Sequence, residues 1–139
     1  MRDFDIDRPG RTRQYKSIQK HHRTSQHRNA NKWKDKDLEI NTFDSADYGS
    51  FTRELTKDSW EDSKKNLWGF LDNFPFVGTE KEQFGFFPVP TNPSDRWHGY
   101  PVIPFTKGYE IEDSLLKKWV VDEVLDEDDI PSIKKRKRL

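Results

Sequence analysis

Six consecutive residues, Asp95-Arg96-Trp97-His98-Gly99-Tyr100, bring an acceptor, a fixed cation, a stacking ring, an imidazole and a phenol together. Imidazole titrates near neutral pH and serves as general acid or base, which makes His98 the first candidate for proton transfer. Arg96 suits bidentate contact with a phosphate or carboxylate. Trp97 and Tyr100 suit stacking on a nucleobase or another planar ligand. Cleavage of RNA calls for about this inventory, an acid–base pair and a cation for the phosphorane, and Glu110 or Lys107 is near enough in sequence to complete it. A structural reading competes: Trp97 anchors the loop in the core, Asp95 pairs with Arg96, and His98 faces water. Residue types alone do not choose between them, because function rests on site geometry.

Positioning these residues falls to an aromatic and proline-rich segment. Residues 84–105 hold four Phe, five Pro, one Trp and one Tyr. Proline fixes φ and removes a backbone donor, so no long helix fits here. Phe84–Val89 and Tyr100–Phe105 read as two strands of a hairpin-like pair with prolines at their ends or on an edge. The ten-residue loop between them, 90–99, is long enough to suggest function. After it, Asp113-Ser114 caps a predicted helix running to Leu125, with Leu115, Leu116, Trp119, Val120 and Val124 on one face.

Upstream, Leu38–Phe43 alternates apolar and polar residues and predicts a strand. Residues 44–50 are turn-forming, and 51–56 favour a second strand over a first helical turn. Trp60, Leu67, Trp68 and Leu71 recur at roughly helical spacing, so 59–72 predict an amphipathic helix stopped by Asn73-Phe74-Pro75. The order β-β-α-β-β-α gives an α+β fold: a small antiparallel sheet with one or two helices packed on one face.

At 139 residues there is room for one domain. Hydrophobic residues are 31% and charged residues 36%, against roughly 45–50% and 25% in typical domains. The division expected is a disordered basic tail at 1–37, a single α+β domain at 38–129, and a basic C-terminal tail at 130–139. The net charge of zero conceals segregation: net +7 over 1–34, −6 over 35–80, −7 over 110–129, and five cations without an acid over 130–139. Blocks of this kind contact either their own domain or an outside polyanion. In the N-terminal tail Arg8, Arg11, Arg13, Lys16, Lys20, Arg23 and Arg28 are the candidate phosphate contacts, with Tyr15 and Trp33 available to stack. Lys134, Lys135, Arg136, Lys137 and Arg138 form a sharper cluster, readable as a targeting signal, a nucleic-acid contact, or the dipole-complementing end of a short helix begun at Ile130-Pro-Ser-Ile133.

The chain has no cysteine, which excludes disulfides, thiolate metal sites and cysteine nucleophiles and fits a reducing compartment. There is no apolar run long enough for a transmembrane helix. The first 30 residues lack the apolar stretch of a secretory signal, and Asp3, Asp5 and Asp7 argue against a transit peptide. The cytoplasm is the expected location, without membrane association. His21, His22 and His27 lack further partners at ligand spacing, and 126–129 lacks the glycine and spacing of a calcium loop, so neither metal nor cofactor is expected.

Three function classes follow. The first is a small binding module that contacts nucleic acid, RNA ahead of DNA, or an acidic partner, through its basic tails and aromatic–proline surface. The second is a small RNase-like or toxin-type enzyme using His98, Arg96 and Tyr100. The third is an antitoxin or immunity-type protein whose acidic face occludes a partner.

Overall fold

The computed structural model describes residues 2–27 and 30–136. Along them run β1 (Phe4–Ile6), β2 (Tyr15–Ser17), a 3-10 turn (Gln19–His21), α1 (Lys36–Tyr48), β3 (Leu67–Gly69), β4 (Phe84–Phe87), β5 (Tyr100–Val102), α2 (Asp113–Val121) and α3 (Asp129–Lys134). β1 and β2 pair antiparallel, with Phe4 opposite Ser17 and Ile6 opposite Tyr15. β3, β4 and β5 form a second antiparallel sheet in that order, with Trp68 opposite Phe86 and Phe86 opposite Tyr100. The fold is α+β with small antiparallel sheets, and the strand pair around the 90–99 loop is present as β4 and β5. The helix at Asp113 also forms, ending before Leu125. No helix among the described residues is long and apolar enough to cross a membrane.

Alternation along the strands sorts the faces of the larger sheet. Trp68, Phe84 and Val102 join Leu115, Leu116 and Trp119 of α2 and Ile133 of α3 in one apolar cluster. Leu67 and Phe87 point the other way and cluster with Tyr15, Trp33, Phe43, Ala46 and Trp97. Helices therefore cover both faces, where the sequence led us to expect them on one. Two facing glycines, Gly69 and Gly85, permit the second layer. A Cβ on Gly69 would strike the Thr42 carbonyl of α1, and one on Gly85 would lie 2.8 Å from the Trp33 ring. Without side chains there, α1 and Trp33 settle directly on the sheet.

Three stretches differ from expectation. Leu38–Phe43, predicted as a strand, belongs to α1, which also takes in most of the predicted turn after it. Asp35 caps this helix by accepting from Leu38 N at 2.8 Å, and Gly49 ends it in the left-handed region at φ 69°. Its buried face is Glu39, Thr42, Phe43, Ala46 and Asp47. That spacing is helical, but two carboxylates and a threonine occupy it, so no apolar stripe marks it. Residues 59–72 form no helix. Asp62 Oδ1 accepts from Lys64 N at 2.9 Å and Asn66 N at 3.0 Å, and Lys65 turns through φ 72°. The chain then returns as β3, with Trp68 N donating to Trp60 O at 3.1 Å. A short aspartate offers the backbone partners that a helix would otherwise supply, and the turn wins. Residues 51–56 form turns rather than a strand.

Within the segment 1–37, read from the sequence as a disordered tail, some of the described residues pack into the core. Tyr15 is fully buried and Trp33 is 1% exposed, and the Trp33 indole donates to Gly99 O at 3.2 Å. α1 runs straight across the expected boundary at 37/38, and α3 starts before the one at 129/130. The composition argument counts the segment's charge as solvated, whereas Arg8, Arg11 and Arg13 are matched by carboxylates of α1.

Candidate functional site

The loop that carries the first candidates is built into the fold. Arg96 donates from Nη1 to Tyr15 O at 3.1 Å and Ile6 O at 3.3 Å, and from Nη2 to Asp7 Oδ1 at 2.7 Å. It is a tie between the loop and the β1–β2 ribbon. Trp97 is 8% exposed and exchanges backbone bonds with Gln14 O (2.9 Å) and Lys16 N (2.8 Å). His98 is exposed, and partial desolvation with Lys20 and Lys16 nearby holds it below its ordinary pKa. Tyr100 turns its hydroxyl to the Tyr109 hydroxyl at 2.8 Å and stacks on His21 at 5.0 Å. Burial first, and then Tyr109, keep that phenol well above its usual range. Asp95 is exposed, and Arg96 pairs with Asp5 and Asp7 instead. Arg96 is thus engaged by the β1–β2 ribbon, while His98 is exposed.

The tail cations divide into two groups. Arg8, Arg11 and Arg13 turn inward onto Asp47, which is 1% exposed, at 2.7, 2.9 and 2.6 Å. Arg8 also reaches Asp44 at 2.8 Å, and Arg13 reaches Glu61 at 3.3 Å. The guanidinium planes lie over rings, Arg11 on Tyr48 at 4.1 Å and Arg8 on Phe43 at 4.7 Å. Burial pushes Asp47 up, yet the bonds from Arg11 and Arg13 and the charge of Arg8 outweigh it and hold the carboxyl below its usual value. These three arginines, read from the sequence as phosphate contacts, are engaged by carboxylates of the fold. Lys16 sits 4.0 Å from Asp5, and Lys134 pairs with Asp113 at 3.0 Å. Lys20, Arg23, Lys135 and Arg136 are exposed and make no ion pair among the described residues. Arg28, Lys137 and Arg138 lie outside the described residues.

A different constellation emerges behind Arg23. Tyr15 and Ser17, two apart on β2, point the same way and meet Glu39 in the first turn of α1. Tyr15 Oη donates to Glu39 Oε2 and Ser17 Oγ to Glu39 Oε1, both at 2.7 Å. Ser17 Oγ also lies 2.8 Å from His22 Nε2. Glu39 is 1% exposed and has no cation partner among the described residues. Burial therefore lifts it to about 7, against the lowering pull of the two hydroxyls. Burial likewise holds His22 below its ordinary value, with Asp3 opposing. His21 is tied to Asn31 O at 2.6 Å and held at about 4 by burial. His27 is exposed, and among the described residues no three His, Asp or Glu converge on a metal position.

Glu39 and His22 line a cavity of about 430 Å³ with Phe4, Arg23, Trp33 and Lys36. A second cavity of about 310 Å³ is lined by Arg23, Lys34, Phe76 and Lys81. Arg23 borders both, and the cations Arg23, Lys34, Lys36 and Lys81 are distributed over the two linings, with Asp35 and Glu39 as the carboxylates of the first. All four cations are exposed and unpaired by any carboxylate among the described residues. Another cavity, of about 620 Å³, has the opposite character: Asp62, Glu110, Glu112 and Asp113 line it with Lys64 and Lys134. Sequence reasoning missed the Glu39 cluster because α1 read as a strand. Read as a helix, 36–48 would have placed Glu39 and Asp47 on its buried face and demanded polar partners for both. Compared with known proteins, the chain matches no family model, no curated protein and no solved structure.

Proposed function

We propose that the protein binds nucleic acid, single-stranded RNA ahead of DNA, at the two cavities that share Arg23. The observation that carries this reading is the contrast between two sets of cations. Arg8, Arg11 and Arg13 are consumed by carboxylates of the fold, while Arg23, Lys34, Lys36 and Lys81 make no ion pair among the described residues and line two cavities that share Arg23. Cations of this kind neutralise phosphates and release counterions. Phe4, 37% exposed, and Phe76 supply aromatic walls to those cavities. Unpaired bases of a single strand can enter such cavities and stack, whereas a duplex keeps its bases inside, which favours RNA loops or single strands.

The test is fluorescence anisotropy with a labelled single-stranded RNA and a duplex DNA of equal length at two salt concentrations. RNA should bind more tightly, and its affinity should fall as salt rises. In Arg23→Gln/Lys36→Gln the slope of log affinity against log salt should flatten by about 0.7 per lost contact, while Lys57→Gln, at an exposed turn elsewhere, should match the wild type. Salt-insensitive binding, or a double variant that binds as wild type, overturns the reading. Binding of an acidic protein in place of RNA through the same cations would also count against it.

A further inference from the structure

The hydrogen-bonded chain from Glu39 through Ser17 to His22 ends on a bare nitrogen. His22 is 7% exposed, and its Nδ1 is enclosed with no hydrogen-bond partner among the described residues. Buried polar atoms are almost always paired, so an orphan of this kind marks a missing partner. His22 also lines the 430 Å³ cavity with Arg23 and Lys36, two cations in no ion pair among the described residues, and with the carboxylates of Asp35 and Glu39. We propose that this cavity binds a phosphate of single-stranded RNA, that His22 Nδ1 hydrogen-bonds to it, and that Glu39, acting through Ser17, decides whether that nitrogen donates. This rests on the nucleic-acid reading above and adds the atom that makes the contact and the residue that governs it.

The governing step follows from counting hydrogens. Ser17 Oγ lies 2.7 Å from Glu39 Oε1 and 2.8 Å from His22 Nε2, and its one hydrogen can serve only one of them. With Glu39 ionised, Ser17 donates to the carboxylate, and His22 Nε2–H donates to Ser17. Nδ1 then carries a lone pair, which repels a phosphate oxygen. With Glu39 protonated on Oε1, the carboxyl donates to Ser17 and Ser17 donates to Nε2. The imidazole hydrogen now sits on Nδ1, where it donates to the phosphate. Tyr15 donates to Oε2 in both states. One proton is taken up, at Glu39, and the imidazole stays neutral while exchanging its tautomer with solvent.

Burial without a cation brings Glu39 close to neutrality, so both states are populated at physiological pH. The other groups facing the pair are few. Tyr15 and Ser17 come from β2, Asp3 acts on His22 from beside β1, Arg23 adjoins it, and Asp35 and Lys36 begin α1. Phe4 packs on the imidazole at 5.4 Å between ring centres. Access of a phosphate to Nδ1 requires this side chain to turn aside.

RNA anisotropy at pH 6 and pH 8 tests this, using wild type, Glu39→Gln, Ser17→Ala and the Ser17→Ala/Glu39→Gln pair. Wild type and Glu39→Gln should bind alike at pH 6, while at pH 8 Glu39→Gln should bind about tenfold tighter, the usual scale for one charged hydrogen bond. Comparing chains at one pH cancels the contributions of groups that the chains share. In the Ser17→Ala background the substitution at Glu39 should change nothing, whereas a simple charge effect would survive there. Nitrogen-15 NMR of the wild-type imidazole gives a readout free of mutation: His22 should carry hydrogen on Nδ1 at pH 6 and on Nε2 at pH 8. A single tautomer across that range, or equal affinities of wild type and Glu39→Gln at pH 8, overturns the inference while leaving RNA binding intact. Absence of RNA binding at both pH values overturns both.

Discussion

Tyr15 Oη donates to Glu39 Oε2 at 2.7 Å, joining β2 to the first turn of α1 across 24 residues of sequence. The bond is wholly buried, and it places the basic N-terminal segment inside the fold. Burial and the charge of Glu39 keep the phenol well above its usual pKa, so the proton stays on Tyr15.

Removing the segment's largest anchor should therefore be severe. Trp33, 1% exposed and stacked on Phe87 at 5.9 Å, should lose about 3–5 kcal/mol on substitution by alanine. Urea denaturation followed by circular dichroism measures this. Deleting residues 1–34 should abolish folding altogether, so charge substitutions, not truncations, are the means to probe binding.

Asp47→Asn should destabilise by about 3–5 kcal/mol, because it leaves the Arg8, Arg11 and Arg13 guanidiniums around an uncharged partner, with Arg8 almost fully buried. The folded carboxyl sits below its ordinary value of 3.8. Its stabilisation is thus present above about 3.8 and is lost as pH falls below that value towards the folded pKa. Acid unfolding of wild type and Asp47→Asn should converge at the lowest pH.

Glu39 acts in the opposite sense. Its carboxyl rises from 4.5 unfolded to about 7 folded. Folding is favoured while it is protonated: the contribution is full below 4.5 and is lost as pH rises through about 7, a swing of about 3 kcal/mol. His21, lowered from 6.5 to about 4, pulls the other way, losing stability as pH falls from 6.5. The stability difference between wild type and Glu39→Gln isolates the carboxyl, and it should widen in favour of the variant between pH 5 and pH 8. A constant difference would contradict a buried, neutral Glu39.

His98→Ala should leave stability within about 0.5 kcal/mol of wild type, as exposed sites usually do. Arg96→Ala should cost more, since it strips hydrogen bonds from Tyr15 O, Ile6 O and Asp7. Thermal denaturation of the two variants side by side distinguishes a structural Arg96 from a catalytic one.

What the sequence revealed was set by where apolar residues carried the signal. Phe84–Phe87, Tyr100–Val102 and the face of Leu115, Leu116 and Trp119 were legible because hydrophobic side chains fill their buried positions. α1 was not, because Glu39, Thr42 and Asp47 fill the positions that normally hold Leu or Ile. Trp60, Leu67, Trp68 and Leu71 gave a false helix, since a turn closed by Asp62 spaced them by accident. The same blindness hid the candidate site. Glu39 and His22 sit in the two stretches whose polarity resembled a half-buried strand and a tail, and only the fold brings them to a shared hydroxyl on Ser17.

The most direct test of the proposed nucleic-acid binding is a titration of the isotopically labelled protein with a short single-stranded RNA, followed by backbone amide shifts. The prediction is that shifts concentrate at residues 22–24, 34–36 and 78–81, saturate with RNA, and weaken as salt rises. Shifts confined to 134–136 or to the acidic cavity around Asp62 and Glu112, or no shifts at all, would contradict it.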